Sequence, residues 1–218
     1  MSQVVLDTIM KEKIISIIRG VPSEYIEKTL QALYEGGIRC VEIAIDHTSA
    51  ATVANTFTCI KIASEKYGDK LCIGAGTILT VDEVRQAQAA GAQYMISPNT
   101  DEAVVKETKK RGLVSLPGAM SPTEVVNAHN WGADIVKIFP AGDLGPKYFK
   151  SLRSPLGHIP LMAVGGVSAD NLADFLQNGA MGAGIGGNLA NVKAIKKGDF
   201  AALTQAAQKL VAICAERD

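Results

Sequence analysis

The run Gly132-Ala133-Asp134-Ile135-Val136-Lys137-Ile138-Phe139-Pro140 sets one cationic residue inside a short apolar strand. Alternation along a strand puts Ile135, Lys137 and Phe139 on one face and Val136 and Ile138 on the other, so both faces are apolar enough to be buried. Burial on both faces is the habit of a parallel sheet covered by helices. The lysine has two readings. It can be a surface residue whose stem lies along apolar neighbours while its head stays in water. Held among Ile135, Val136, Ile138 and Phe139 it instead loses hydration, which favours the neutral amine, the form that attacks a carbonyl carbon to make a Schiff base. The doubly buried setting favours the second.

Outward from this strand one junction repeats. A glycine closes an amphipathic stretch and an apolar strand begins within a few residues, at Gly37, Gly91, Gly112, Gly132 and Gly179. Strands are predicted over residues 14–18, 40–45, 71–76, 94–98, 113–117, 134–140, 160–165 and 181–186. Helices are predicted over stretches such as 24–34, 81–90, 102–111, 123–131 and 171–177, several opened by a capping Thr80, Thr100, Ser121 or Ser168. No linker or low-complexity segment divides them. Eight strand-helix units within 218 residues predict a single α/β domain over residues 1–218, a (β/α)8 TIM barrel preceded by a short N-terminal helix. A doubly wound open sheet is the competing architecture. The glycine-rich stretch Gly182-Ala183-Gly184-Ile185-Gly186-Gly187 lies too near the C-terminus to open a dinucleotide-binding half, and reads as a phosphate loop.

Composition narrows the function classes. Lysine plus arginine equals aspartate plus glutamate at 22 each, without the basic excess of a nucleic-acid binder, so a small-molecule partner is expected. No apolar run approaches the roughly eighteen residues that span a bilayer, and the first residues lack the apolar core of a secretory signal. The expected compartment is the cytoplasm, with no membrane partner. Cys40, Cys59, Cys72 and Cys214 are widely spaced, with no Cys-x-x-Cys pair, and read as small apolar packing residues rather than a disulfide framework or zinc site. Of the histidines only His47, beside Asp46, is near a predicted strand end; no metal site can be assembled around it. Trp131, Tyr148 and Phe149 read as helix-face packing residues.

A parallel barrel keeps its chemistry at the C-terminal ends of its strands. Lys137 qualifies. Glu42, in Val41-Glu42-Ile43-Ala44-Ile45, is a second lone charge in an apolar strand, and the second and sixth strands share a parity that lets both side chains point inward. They form either a catalytic pair or a structural ion pair. Paired, Glu42 would raise the lysine pKa against the desolvation that lowers it, and sequence does not decide which prevails. Gly165-Gly166 and Gly186-Gly187-Asn188 follow the last two strands, where glycines let backbone N–H groups approach phosphate oxygens; tight turns are the alternative. Arg19, after the first strand, suits a carboxylate, although a solvated loop arginine reads the same. Thr77 is a candidate donor to that carboxylate or to a hydroxyl, Pro98 a candidate pocket wall, and Phe139 shares the face of Lys137.

Seven motifs in order carry a family likeness: Gly36-Gly37-Ile38-Arg39-Cys40-Val41-Glu42-Ile43, Ile73-Gly74-Ala75-Gly76-Thr77, Ile96-Ser97-Pro98, Leu116-Pro117-Gly118, Val136-Lys137-Ile138-Phe139-Pro140-Ala141, Gly165-Gly166-Val167 and Ile185-Gly186-Gly187. Through them the chain resembles, over nearly its full length, the bacterial 2-keto-3-deoxy-6-phosphogluconate aldolases and the related 4-hydroxy-2-oxoglutarate and 2-keto-3-deoxy-6-phosphogalactonate aldolases. The resemblance implies a class I aldolase, free of cofactor and metal, in which Lys137 forms the Schiff base and Glu42 moves protons, assembled as a homotrimer. Its implied substrate is a 2-keto-3-deoxy-6-phospho sugar acid, phosphogluconate first, cleaved to pyruvate and glyceraldehyde 3-phosphate. Three positions depart from the phosphogluconate pattern. Asp46 stands where an arginine is common and would repel a carboxylate, leaving Arg19 to hold it. Val164 replaces a threonine and Asn188 a serine. Two rival readings remain: a phosphosugar isomerase, epimerase or decarboxylase on the same barrel, and a non-catalytic phosphate-ligand binder.

Overall fold

Gly37, Gly91, Gly112, Gly132 and Gly179 all adopt left-handed φ values, between +69° and +105°, the conformation that ends a helix and frees the chain to enter a strand. In the computed structural model, which describes residues 2–216, the first half of the chain forms α1 (Ser2–Glu12), β1 (Ile14–Arg19), α2 (Ser23–Glu35), β2 (Cys40–Ala44), α3 (Ala50–Tyr67), β3 (Cys72–Gly76), α4 (Val81–Ala89), β4 (Tyr94–Ile96) and α5 (Glu102–Lys110). The second half forms β5 (Val114–Leu116), β6 (Gly118–Ala119), α6 (Pro122–Asn130), β7 (Val136–Ile138), α7 (Ala141–Leu144), α8 (Pro146–Arg153), β8 (Leu161–Val164), α9 (Leu172–Gln177), β9 (Gly182–Ile185), α10 (Val192–Lys196) and α11 (Phe200–Ala215).

The strands run in the order β5-β4-β3-β2-β1-β9-β8-β7-β6, every neighbouring pair parallel. The two ends of that order, β5 and β6, are halves of one barrel strand interrupted at Pro117. This corrects the single strand predicted over 113–117. Proline has no N–H and cannot continue the ladder, yet its carbonyl still accepts from Lys137 N at 2.9 Å, so β5 pairs with β4, β6 pairs with β7, and the (β/α)8 ring closes.

Two apolar layers follow from strand alternation. Outward residues such as Val41, Ile73, Val136, Ile138 and Ala163 pack against the helices. Inward residues Ile15, Tyr94, Val114, Ile135 and Met162 fill the ring, and α1 lays Val5 and Ile9 against them, closing its N-terminal end.

Two of the four expected caps hold. Thr80 and Ser121 form capping boxes with Glu83 and Glu124. At α5 the cap is Asp101, whose carboxylate accepts from Val104 N and suits the positive helix end; Thr100 instead donates to Gly118 O at 2.6 Å. Ser168 lies ahead of α9, its hydroxyl taken by Asp170 N, while Asn171 occupies the cap position without a side-chain cap bond.

Candidate active site

Lys137 on β7 and Glu42 on β2 are the buried charges inside the ring, 6% and 1% exposed. Both line a cavity of about 280 Å³ at the C-terminal strand ends, shared with Arg19 from β1 and Phe139 just past β7. Gly165, Gly166, Gly186, Gly187 and Asn188 form its other side, with Val164 beneath them. Seven of the nine expected binding residues therefore meet around the amine and the carboxyl group.

Burial wins the electrostatic competition that sequence left open. It pulls the Lys137 ammonium below the ordinary lysine range, with the Glu42 charge opposing and Arg19 adding to the depression. Burial likewise pushes Glu42 up, with Lys137 and Arg19 opposing. Burial thus shifts both groups toward their neutral forms. Among the described residues Glu42 Oε2 has no hydrogen-bond partner, leaving it available to the cavity. The Lys137 nitrogen lies 5.0 Å from the centre of the Phe139 ring.

Two expected residues stand outside the cavity. The hydroxyl of Thr77 accepts from Arg19 Nη2 at 2.7 Å, so it orients the arginine rather than lining the pocket. Thr77 does so in a left-handed conformation, φ +56°, and its carbonyl is 3.0 Å from His47 Nε2. The other ring nitrogen of His47 lies 3.6 Å from Glu83. This Arg19-Thr77-His47-Glu83 chain escaped the sequence reading because its members come from four separate segments. Pro98 also lies off the cavity lining, its carbonyl packing where a side chain at Gly118 would stand. Asp46 is also turned away from the site. Its carboxylate accepts from Thr48 N at 3.0 Å and lines a separate, larger cavity of about 320 Å³ beside α3. Its charge still reaches Arg19, so the expected effect on a bound carboxylate would act through that arginine.

The glycine loops are tied together. Asn188 Nδ2 donates to Val167 O at 2.9 Å, joining the loops after β8 and β9, and Asn171 Nδ2 donates to Gly166 O at 3.0 Å. The N–H groups of Gly166 and Gly187 have no partner among the described residues, which leaves them to a ligand. Gly142, after β7, donates to Gly165 O at 2.7 Å.

Such a closed parallel ring, with a buried lysine and glutamate sharing a cavity with two glycine loops at the C-terminal strand ends, marks a (β/α)8 barrel of the enzyme type. The sequence matches the KDPG and KHG aldolase family over residues 5–206, and the chain belongs to that family: it is an aldolase, a carbon-carbon lyase. It is 35% identical over 181 residues to a probable 2-dehydro-3-deoxy-6-phosphogalactonate aldolase of Rhizobium meliloti, covering 83% of this chain and 82% of that protein. It is 35% identical over 184 residues to the 2-dehydro-3-deoxy-phosphogluconate aldolase of Treponema pallidum, covering 84% of each. A solved structure described as native KDPGal superposes with a TM-score of 0.83 at 31% identity, covering 93% of this chain and 94% of that one. No helix among the described residues is long and apolar enough to cross a membrane.

Proposed function

We propose that this class I aldolase cleaves a 2-keto-3-deoxy-6-phospho sugar acid to pyruvate and glyceraldehyde 3-phosphate through an imine on Lys137. The observation that carries the reading is the buried Lys137 amine facing Glu42 in one cavity with Arg19 and two glycine loops. Nζ in its neutral form attacks the C2 carbonyl, and Glu42 in its protonated form gives its proton to the departing hydroxyl, leaving a protonated imine. Removal of the C4 hydroxyl proton then breaks the C3–C4 bond, whose electrons enter the imine to form an enamine. Glyceraldehyde 3-phosphate leaves. Glu42 returns a proton to C3, directly or through water, and hydrolysis frees pyruvate and the amine. Arg19 holds the substrate carboxylate, Thr77 orients Arg19, Phe139 shapes the wall, and the backbone of Gly165, Gly166, Gly186, Gly187 and Asn188 receives the phosphate.

Incubation with pyruvate, reduction with borohydride and peptide mapping test this. A stable adduct at Lys137 is expected; an unlabelled lysine in a folded chain would turn the assignment toward an isomerase or a binding protein.

2-Keto-3-deoxy-6-phosphogluconate is the first substrate to assay. 2-Keto-3-deoxy-6-phosphogalactonate, its C4 epimer, is the second reading, motivated by the R. meliloti relative and by the apolar Val164 in the cavity; relative kcat/KM on the two acids decides between them. A cytoplasmic homotrimer, each chain a single domain, completes the proposal, and light scattering on the purified chain tests the assembly.

A further inference from the structure

Cys40 and Cys72 are 32 positions apart in sequence, yet the β2–β3 register makes them direct partners. Both belong to the inward layer near the end closed by α1, with Cys40 two residues before Glu42 on β2. Neighbouring strands run about 4.8 Å apart, within the Cα separations of about 4.4–6.8 Å that a disulfide spans. The two thiols are near enough for each to shift the ionisation of the other.

Their surroundings differ. Cys40 is fully buried. Cys72 is half-buried and forms part of the wall of a crevice of about 420 Å³ between α1 and the start of β3, bounded by Thr8, Glu12, Arg39 and Gln93. An oxidant can therefore reach one sulfur while the second waits behind it. Interaction with Cys40 brings the Cys72 thiol down to about 7, while the same interaction and burial hold Cys40 well above the ordinary thiol range. That is the division of labour between an attacking and a resolving cysteine.

We propose that Cys40 and Cys72 form a dithiol site that a hydroperoxide oxidises to an intrachain disulfide. The Cys72 thiolate attacks the peroxide oxygen, the O–O bond breaks, and the leaving hydroxide takes up a proton to become water; Cys72 is now a sulfenic acid. The Cys40 sulfur then displaces the hydroxyl group, its proton leaving with it as a second water. Two thiols are oxidised and one peroxide is reduced. Tyr94, whose ring packs against Gly74 of β3, feels both cysteines and Glu42.

The test uses the whole reduced chain. After brief exposure to hydrogen peroxide and blocking of remaining thiols with N-ethylmaleimide, intact mass is expected to show loss of two hydrogens. Peptide mapping is expected to recover a Cys40–Cys72 link that dithiothreitol reverses. In the reduced chain iodoacetamide should label Cys72 at least about tenfold faster than Cys59, which is buried and pushed up to about 11. Cys40→Ala should stop at a dimedone-trappable sulfenic acid on Cys72. Failure of peroxide to modify Cys72 in the folded parent, or oxidation that only couples two chains through Cys72 and leaves Cys40 alkylatable on unfolding, would overturn the proposal.

Discussion

The carboxyl group of Glu42 rests against the backbone of Gly76 on the neighbouring strand, so closely that a methyl group added at Gly76 would overlap Oε1. Register pairs Glu42 with Gly74 and Ala44 with Gly76, and the ring of Tyr94 occupies the space left by Gly74. The two missing side chains on β3 thus make room for one ring and one acid, Gly74 for Tyr94 and Gly76 for Glu42. Gly76→Ala is expected to displace Glu42 and lower kcat about a hundredfold, the scale of a one-ångström misplacement at a reacting group. The overpacking should cost about 1–3 kcal/mol of stability. Steady-state kinetics beside denaturant melts check both; an unchanged kcat would separate Glu42 from the chemistry.

The pH dependence has a defined sign. A Lys137 pKa below the ordinary 10.5 means that the neutral amine, and with it imine formation, is reached at lower pH than for a free lysine. Arg19 contributes to the depression and Glu42 opposes it. Rates of borohydride trapping with pyruvate should therefore rise at higher pH in Arg19→Gln and at lower pH in Glu42→Gln.

Stability responds to the same two groups. Charged Lys137 penalises folding, a penalty relieved only as pH climbs from its folded pKa toward 10.5. Ionised Glu42 penalises folding increasingly as pH rises from 4.5 through its raised folded pKa. At neutral pH the double variant Lys137→Met, Glu42→Gln should be inactive and more stable than the parent by about 1–4 kcal/mol, as is common when buried charges are replaced. Urea titration measures it.

Arg19 is exposed and anchored through Thr77. Arg19→Ala should raise KM about tenfold to a hundredfold, the loss of a charge-assisted contact, with little change in melting temperature. Asp46→Asn should alter KM by less than about threefold, since its carboxylate serves Thr48. A large Asp46 effect would return it to the substrate site.

Thr77 holds a left-handed backbone that β-branched residues rarely adopt, φ +56°. Thr77→Gly removes the strain, worth about 1–3 kcal/mol, and the hydroxyl together. The variant is expected to be at least as stable as the parent and yet to bind substrate more weakly, measurable as a higher melting temperature with a higher KM.

The ring and its principal charges were legible because each leaves a local mark. Lys137 and Glu42 interrupt apolar strands, and Gly37, Gly91, Gly112, Gly132 and Gly179 punctuate five helix-to-strand junctions with positive φ. What depended on register or on side-chain direction was not legible. The Cys40–Cys72 contact requires knowing which residue of β2 faces which residue of β3. The turning of Asp46 toward Thr48 and the use of the Asn188 amide on Val167 are choices among nearby partners that spacing does not fix. The split at Pro117 lay in plain view, but a proline that ends a strand and one that interrupts it look alike until the next residues pair with β7.

Gly142 donates to Gly165, and a side chain on it would press on Gly166. The segment carrying the proposed nucleophile is therefore bolted to the loop proposed to hold the phosphate, and the gap between them works as a fixed gauge. Under the proposed chemistry a sugar acid shortened by one carbon would engage one end or the other, so molecular length, more than any single hydroxyl, is what such a rigid calliper selects.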